Sequence, residues 1–320
     1  MDLIDIFRAR RRITPHVRRT PLTPSAWLSD LSGARVSLKL ESLQRSHSFK
    51  SRGAFNAVIA RLERSAHAPS RLVTASAGNH GRALAEAAAT FGLPLVVFTP
   101  ADAPTTKLAA IRRHGADLRA VGRDYDDAER MAKAFAKETG AEFISPYSDL
   151  DVVAGAGTVA LEILEEAPDT DTLVVPIGGG GLISGVATAA KAINADCEVI
   201  GVEVEASCAF QTSVRAGRLV EIVPGATLAD GLGGNPDPET ITFAFIQRLV
   251  ERIVTVSEDD LSAAVTGLVE AEHLVAEGAG AAATAALVGR RVDLRGRRVA
   301  VIVSGANIDR ARLAALLADA

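Results

Sequence analysis

The chain has 320 residues, 48% of them hydrophobic, enough for two domains or one large α/β domain around an ample core. Its net charge of -4, with both signs interspersed, leaves no basic stripe and excludes nucleic acid as an expected partner. Cys197 and Cys208 give no disulfide framework or metal-ligand spacing, no run nears the ~20 apolar residues of a membrane span, and the acidic start lacks a signal-peptide core, so a cytoplasmic location is expected.

Residues 2–14 read as a helix, with Ile4, Phe7 and Ile13 on one side, ended by Pro15. Pro21 to Ser25 reads as a connecting loop, and Val36 to Glu41 alternates as a strand should. The stretch Ser46-His47-Ser48-Phe49-Lys50-Ser51-Arg52-Gly53-Ala54 then sets one lysine among small and polar residues, ahead of a helix from Ala54 to Leu62. A lysine beside an arginine reads, on its own, as a solvated face or a helix start.

From about 54 to 147, helices and strands alternate. Strands are expected at 72–74, 95–98, 118–121 and 142–145, and helices at 82–91, 105–114 and 124–139. Later strands are expected at 172–176, 199–204, 253–256 and 299–303. Helices are expected from Gly155 to Glu166, after the glycines at 178–181, over 240–250, from the capping box Ser257-Glu258-Asp259-Asp260 to His273, and from Glu277 to Leu287. Such alternation argues for parallel sheets with helices on both faces. The alanine-rich helices are candidates for a dimer interface. About a dozen residues follow Asn307, too few for an appended regulatory domain.

Four stretches read as turns at the C-terminal ends of strands, where open α/β sheets bind ligands: Ser76 to Gly81, Gly155 to Thr158, Gly178 to Leu182 and Ser304 to Asn307. In Pro176-Ile177-Gly178-Gly179-Gly180-Gly181-Leu182-Ile183-Ser184-Gly185, four glycines follow an apolar run and precede a helix. Backbone N–H groups there can face a phosphate that a Cβ would block. A dinucleotide turn is the rival reading, with Glu203 as its ribose-binding acid, but no strict GxGxxG can be drawn. Asn79 alone reads as a helix cap and His80 as a surface histidine. A Schiff base forms from a neutral amine, and burial lowers a lysine's pKa. Lys50 together with a phosphate cradle therefore reads as a site for pyridoxal phosphate.

Six motifs, spread over nearly the whole chain, resemble the fold-type II pyridoxal-phosphate enzymes, near the threonine/serine dehydratases and serine racemases. They are SFKSRGA (48–54), SAGNHG (76–81), GAGT (155–158), GGGGLISG (178–185), LADGL (228–232) and SGANID (304–309). The resemblance implies a tryptophan synthase beta-like α/β fold with two open, mostly parallel sheets flanked by helices. It implies a larger cofactor domain from 1–53 and 148–320, a small domain from 54–147, and a homodimer. Lys50 would carry pyridoxal 5'-phosphate and move the substrate's α-proton. Phe49 would pack beside the ring, Asn79 would bond its phenolic oxygen, and Ser304 would face its pyridine nitrogen. Gly178, Gly179, Gly180, Gly181 and Leu182 would bind phosphate, and Ser76, Ala77, Gly78, Asn79 and His80 would line the substrate carboxylate pocket.

The implied reaction is β-elimination from an L-β-hydroxy amino acid, L-threonine or L-serine, giving a 2-keto acid and ammonia. Phenylserine, hydroxyaspartate or a hydroxyectoine-degradation intermediate is the alternative substrate, and β-replacement or mere cofactor binding is the alternative activity. Racemases of the family carry a proton-bearing serine where this chain has Ala77, which argues against racemisation. The family's usual glutamine is Ala156 here. Its cation site would begin at Glu203, but Ser207 and Cys208 follow in place of the second acid, so no metal is expected. Tyr147 and Gly233-Gly234-Asn235 also differ from the usual dehydratase and are expected near the substrate side chain.

Overall fold

The computed structural model describes residues 1–64 and 69–318. Runs of aliphatic and β-branched residues form two sheets. The larger has six strands: β1 (Leu22–Pro24), β2 (Arg35–Leu40), β7 (Thr172–Pro176), β8 (Glu198–Val204), β9 (Arg252–Val256) and β10 (Arg298–Val303), in the spatial order β1-β2-β10-β7-β8-β9. The smaller has β3 (Leu72–Ala75), β4 (Leu95–Pro100), β5 (Asp117–Gly122) and β6 (Glu142–Phe143), ordered β5-β4-β3-β6. Every pairing is parallel except β1 with β2, where Leu22 faces Lys39. The segment 21–25, read as a loop, thus supplies an edge strand. It is too short to carry a visible alternation.

Parallel strands covered on both faces are apolar throughout. Leu173, Val174 and Val175 of β7 are all fully buried. Val174, Ile200, Val202 and Val301 feed one core, and Leu173, Val175, Val199 and Ile302 feed the other. The smaller sheet divides in the same way, with Leu72, Leu95 and Val97 on one face and Val73, Ala75, Val96 and Phe98 on the other.

The helices over the cores are α1 (Leu3–Ile13), α2 (Ala26–Ser32), α3 (Lys50–Arg64), α4 (Asn79–Thr90), α5 (Thr105–Arg112), α6 (Tyr125–Thr139) and α7 (Leu150–Glu166). There follow α8 (Gly181–Ile193), α9 (Ala209–Ala216), α10 (Thr242–Leu249), α11 (Glu258–Glu272), α12 (Gly278–Val288) and α13 (Arg310–Ala318). Helix α1 buries Ile6, Ala9 and Ile13, while Ile4 and Phe7 face outward. Helix α6 starts where the Asp124 carboxylate accepts from Asp127 N and stops at Gly140 in the left-handed region. The Ser257/Asp260 capping box opens α11 as its sequence predicts.

Three expectations change. Helix α3 begins at Lys50, four residues earlier than expected, so the lysine stands on a helix start rather than before one. Gly155 to Thr158 is not a turn. Asp149 caps α7 through Asp151 N and Val152 N, which places these residues in the helix interior. Their glycines instead allow close crossing: a Cβ at Gly155 would lie 2.4 Å from Arg52 O, and one at Gly157 2.8 Å from Gly185 O. Ala83, Ala85, Ala87 and Ala88 of α4 and the alanines of α12 are buried within the chain itself, so these residues do not offer a dimer interface.

Candidate active site

The segment between β2 and α3 runs alongside the stretch that follows β10. Phe49 N donates to Ser304 O at 3.0 Å, and Ala306 N donates to His47 O at 2.9 Å. Ser48 and Gly305 form an antiparallel bridge. These backbone bonds bring Lys50 and Ser304, 254 positions apart in sequence, to the same sheet edge. The Lys50 amine donates to Pro146 O at 2.7 Å and lies 5.0 Å from the centroid of the Phe49 ring. The residue keeps part of its surface accessible, but its amine is enclosed by protein, and that desolvation lowers its pKa to about 8.

Beneath the lysine, Arg52 is 1% exposed, contrary to a solvated-face reading. It donates to Glu41 Oε2 through Nε at 2.8 Å and to Glu162 Oε1 through Nη1 at 2.7 Å. Thr158 of the GAGT motif accepts from the same Nη1 at 3.2 Å. The buried Lys39 adds a bond of 2.7 Å to Glu162. Burial opposes the charge on Arg52, but Glu41 and Glu162 outweigh it and raise its pKa. Two cations and two carboxylates therefore lock the root of α3. Sequence reading missed Lys39, Glu41 and Glu162, because nothing local marks a charge as buried.

The glycine turn leads from β7 into α8. Gly180 is in the left-handed region at φ +83°, and no side chain caps the helix. The first N–H groups of a helix have no partner within it, and the helix dipole adds positive potential there. Tyr147 packs against this turn: a Cβ on Gly179 would lie 2.3 Å from its ring. The Tyr147 hydroxyl accepts from Asp237 N at 2.9 Å. Lys50 bonds the carbonyl of the preceding Pro146, so the lysine and the glycine turn share one short connecting stretch.

At the start of α4, the Asn79 amide is held from both ends. Its Nδ2 donates to Glu277 Oε1 at 2.6 Å, and its Oδ1 accepts from Asn307 Nδ2 at 2.7 Å. Asn307 also donates to Ser46 O at 2.9 Å and accepts from Arg82. The Ser304 hydroxyl is buried, with a long bond of 3.4 Å to Ala279 O. Ser76 is buried and accepts from Gly78 N at 3.2 Å, Ala77 is half-buried, and Gly78 is exposed. His80 is buried rather than superficial, and among the described residues neither ring nitrogen has a partner in good hydrogen-bond geometry, although the Ile144 backbone is a polar neighbour of the ring. Burial, then the nearby Lys50 charge, lowers its pKa to about 3, so the imidazole is neutral.

Three other candidates are engaged elsewhere. The Glu203 carboxylate accepts from Phe210 N at 2.8 Å and Gln211 N at 2.7 Å, holding the start of α9, and burial pushes its pKa up to about 7. Asn235 brackets Ile222, accepting from its N–H and donating to its carbonyl, each at 2.9 Å. Gly234 bonds Ser207 through both its N–H and its carbonyl. Glu203 thus holds the start of α9, while Gly234 and Asn235 order the loop between α9 and α10.

The group implied by this arrangement is pyridoxal phosphate, and the donor set suits it. An amine of lowered pKa answers an aldehyde, an uncapped helix start answers a phosphate, an amide with a second N–H answers a phenolic oxygen, and a neutral hydroxyl answers a pyridine nitrogen.

Comparison with known proteins agrees. The family described as "Pyridoxal-phosphate dependent enzyme" matches residues 13–305. The chain is 41% identical to an L-threonine ammonia-lyase of Thermotoga maritima, over 97% of this chain and 76% of that one. It is 38% identical to an L-threo-3-hydroxyaspartate ammonia-lyase of Saccharomyces cerevisiae, over 98% and 95%. Among solved structures, maize serine racemase superposes with a TM-score of 0.90 at 32% identity, covering 99% and 97% of the two chains. A threonine deaminase from T.th. gives 0.87 at 37% identity, covering 97% and 99%. The chain belongs to the pyridoxal-phosphate dependent enzymes of fold type II, and pyridoxal 5'-phosphate is its cofactor.

Proposed function

We propose that the protein is an ammonia-lyase acting on a small L-β-hydroxy amino acid, with L-threonine and L-serine as its first candidates. The observation that carries this reading is the Lys50 amine. It is desolvated, donates to a carbonyl, and has its pKa lowered to about 8, so that a neutral fraction is within reach near physiological pH. The cofactor, when bound, supplies the electron sink that acidifies the α-C–H bond. Lys50 would hold the cofactor, and its freed Nζ would take the substrate's α-proton. The backbone N–H groups of Gly179 to Leu182 receive the phosphate, and Asn79 donates to the phenolic oxygen. The Ser304 hydroxyl, which carries no charge, would face the cofactor's pyridine nitrogen without stabilising a protonated ring, and so would favour early departure of the β-hydroxyl. Nζ returns a proton as that hydroxyl leaves as water. The enamine released then takes up water to give a 2-keto acid and ammonia.

The names of the threonine ammonia-lyase relatives support this substrate class. The hydroxyaspartate ammonia-lyases, each 38% identical, support an acidic β-hydroxy amino acid as the second reading. Racemisation is disfavoured, because Ala77 has no proton to give. Ammonia release from L-threonine, L-serine and L-threo-3-hydroxyaspartate separates these readings. Comparable release from none of them would remove the proposal.

We further propose that the two sheets are the centres of two domains, 1–53 with 148–320 and 54–147, with the site between them. Strands from both chain ends build the six-stranded sheet, which supports this division. A homodimer is proposed on the exposed apolar face of Ile4 and Phe7 on α1, and light scattering tests it. Two free thiols suit a cytoplasmic location.

A further inference from the structure

Glu277 precedes α12 and is 9% exposed, yet no cation forms an ion pair with it among the described residues. Its Oε1 accepts from Asn79 Nδ2 at 2.6 Å, and its own N–H donates to Gly305 O at 3.1 Å. Space for the carboxyl depends on Gly305, because a Cβ there would lie 2.1 Å from Oε1. An amide nitrogen has two hydrogens. Glu277 takes one, Asn307 fixes the opposite end of the amide, and the second hydrogen keeps a single direction.

We propose that Glu277 is a positioning residue: its carboxyl orients the Asn79 amide toward the cofactor's phenolic oxygen, and its charge sets the ionisation of the bound cofactor. This rests on the proposed role of Asn79. One amide nitrogen then bridges a carboxyl and a phenolic oxygen, so a negative charge on the first disfavours a negative charge on the second. Burial, opposed by the Asn79 bond, raises the Glu277 pKa to about 7. The charged groups that face it are Asp230, Lys107 on α5 and Arg82 on α4. Asp230 is itself paired with Lys107, which leaves Arg82 as a second modulator.

The test is a pH titration of the visible absorption of the pyridoxal-phosphate-loaded protein, with cofactor affinity measured alongside. The wild type is expected to have an inflection at about pH 7. Glu277→Gln keeps an acceptor for Asn79 but removes the charge. It is expected to lose that inflection while the cofactor Kd changes by less than about threefold. Gly305→Ala displaces the carboxyl and is expected to raise the Kd about tenfold. A purely structural role would lower thermal stability in both variants and leave the inflection in place, which overturns the proposal. A wild type with no inflection between about pH 6 and 8 overturns it without any variant. A wild type that gains no visible absorption with pyridoxal phosphate would instead strike the reading on which the proposal rests.

Discussion

At Lys50, two functions pull the amine in opposite directions. Capturing an aldehyde requires it neutral, whereas the Pro146 carbonyl at 2.7 Å and the Phe49 ring at 5.0 Å both favour the ammonium. Desolvation prevails and lowers the pKa to about 8. The neutral fraction rises as pH passes upward through that value. The rate of cofactor capture by the apo protein should therefore climb tenfold per pH unit below about pH 8 and level off above it. Stopped-flow absorbance measures this, and a rate independent of pH from 6 to 9 would contradict it. Arg52, two positions along, is bound to Glu41 and Glu162 in a buried cluster. Arg52→Met leaves two carboxylates facing only Lys39 and should cost about 3–5 kcal/mol, read from urea unfolding. Lys50, Asn79 and Ser304 were open to proposal from the sequence because each sits in a short motif with its neighbours. Arg52 and Glu277 were not. The partner of Glu277 lies 198 positions away, and burial of a charge is decided by such distant partners.

At the scale of elements, the glycines do two different jobs with the same letters. At 178–181 they make a turn where a left-handed residue and close packing of Tyr147 meet at the start of α8. Gly179→Ala would drive a Cβ to 2.3 Å from the Tyr147 ring and must displace the ring or the turn. A loss of cofactor affinity of about tenfold or more is expected, measured by equilibrium dialysis. Unchanged affinity would remove the turn from the phosphate site. At 155–158 the glycines lie inside α7 and admit α3 and α8 at backbone contact. The alternation of strands and helices was legible, because parallel strands covered on both faces are short apolar runs between turns. The GAGT misreading arose because glycine marks both turns and close crossings. The cap that decides between them, Asp149, lies six residues upstream. The start of α3 was misplaced for a related reason: polar residues at a helix start look like loop until the packing of α3 on α7 is known.

For the whole molecule, the fold class was legible from the order of motifs, and the meeting of its parts was not. The bodies built on the two sheets are joined by polar contacts around the site: Asn79 with Glu277, Arg82 with Asn307, Lys107 with Asp230 and Lys133 with Asp237. Each couples α4, α5 or α6 to segments more than a hundred positions further along the chain, beyond the reach of local patterning. Through Asp237 the last contact also touches Tyr147, and so reaches the glycine turn. These contacts tie the amide of Asn79 and, through Tyr147, the glycine turn to segments far along the chain.

The most direct measurement is the release of 2-keto acid and ammonia from L-threonine and L-serine by the cofactor-loaded protein and by Lys50→Ala. The account predicts equal amounts of both products from the wild type, and turnover at least about a thousandfold lower, of the order lost with a catalytic acid–base group, in the variant. Turnover in Lys50→Ala equal to that of the wild type would contradict it.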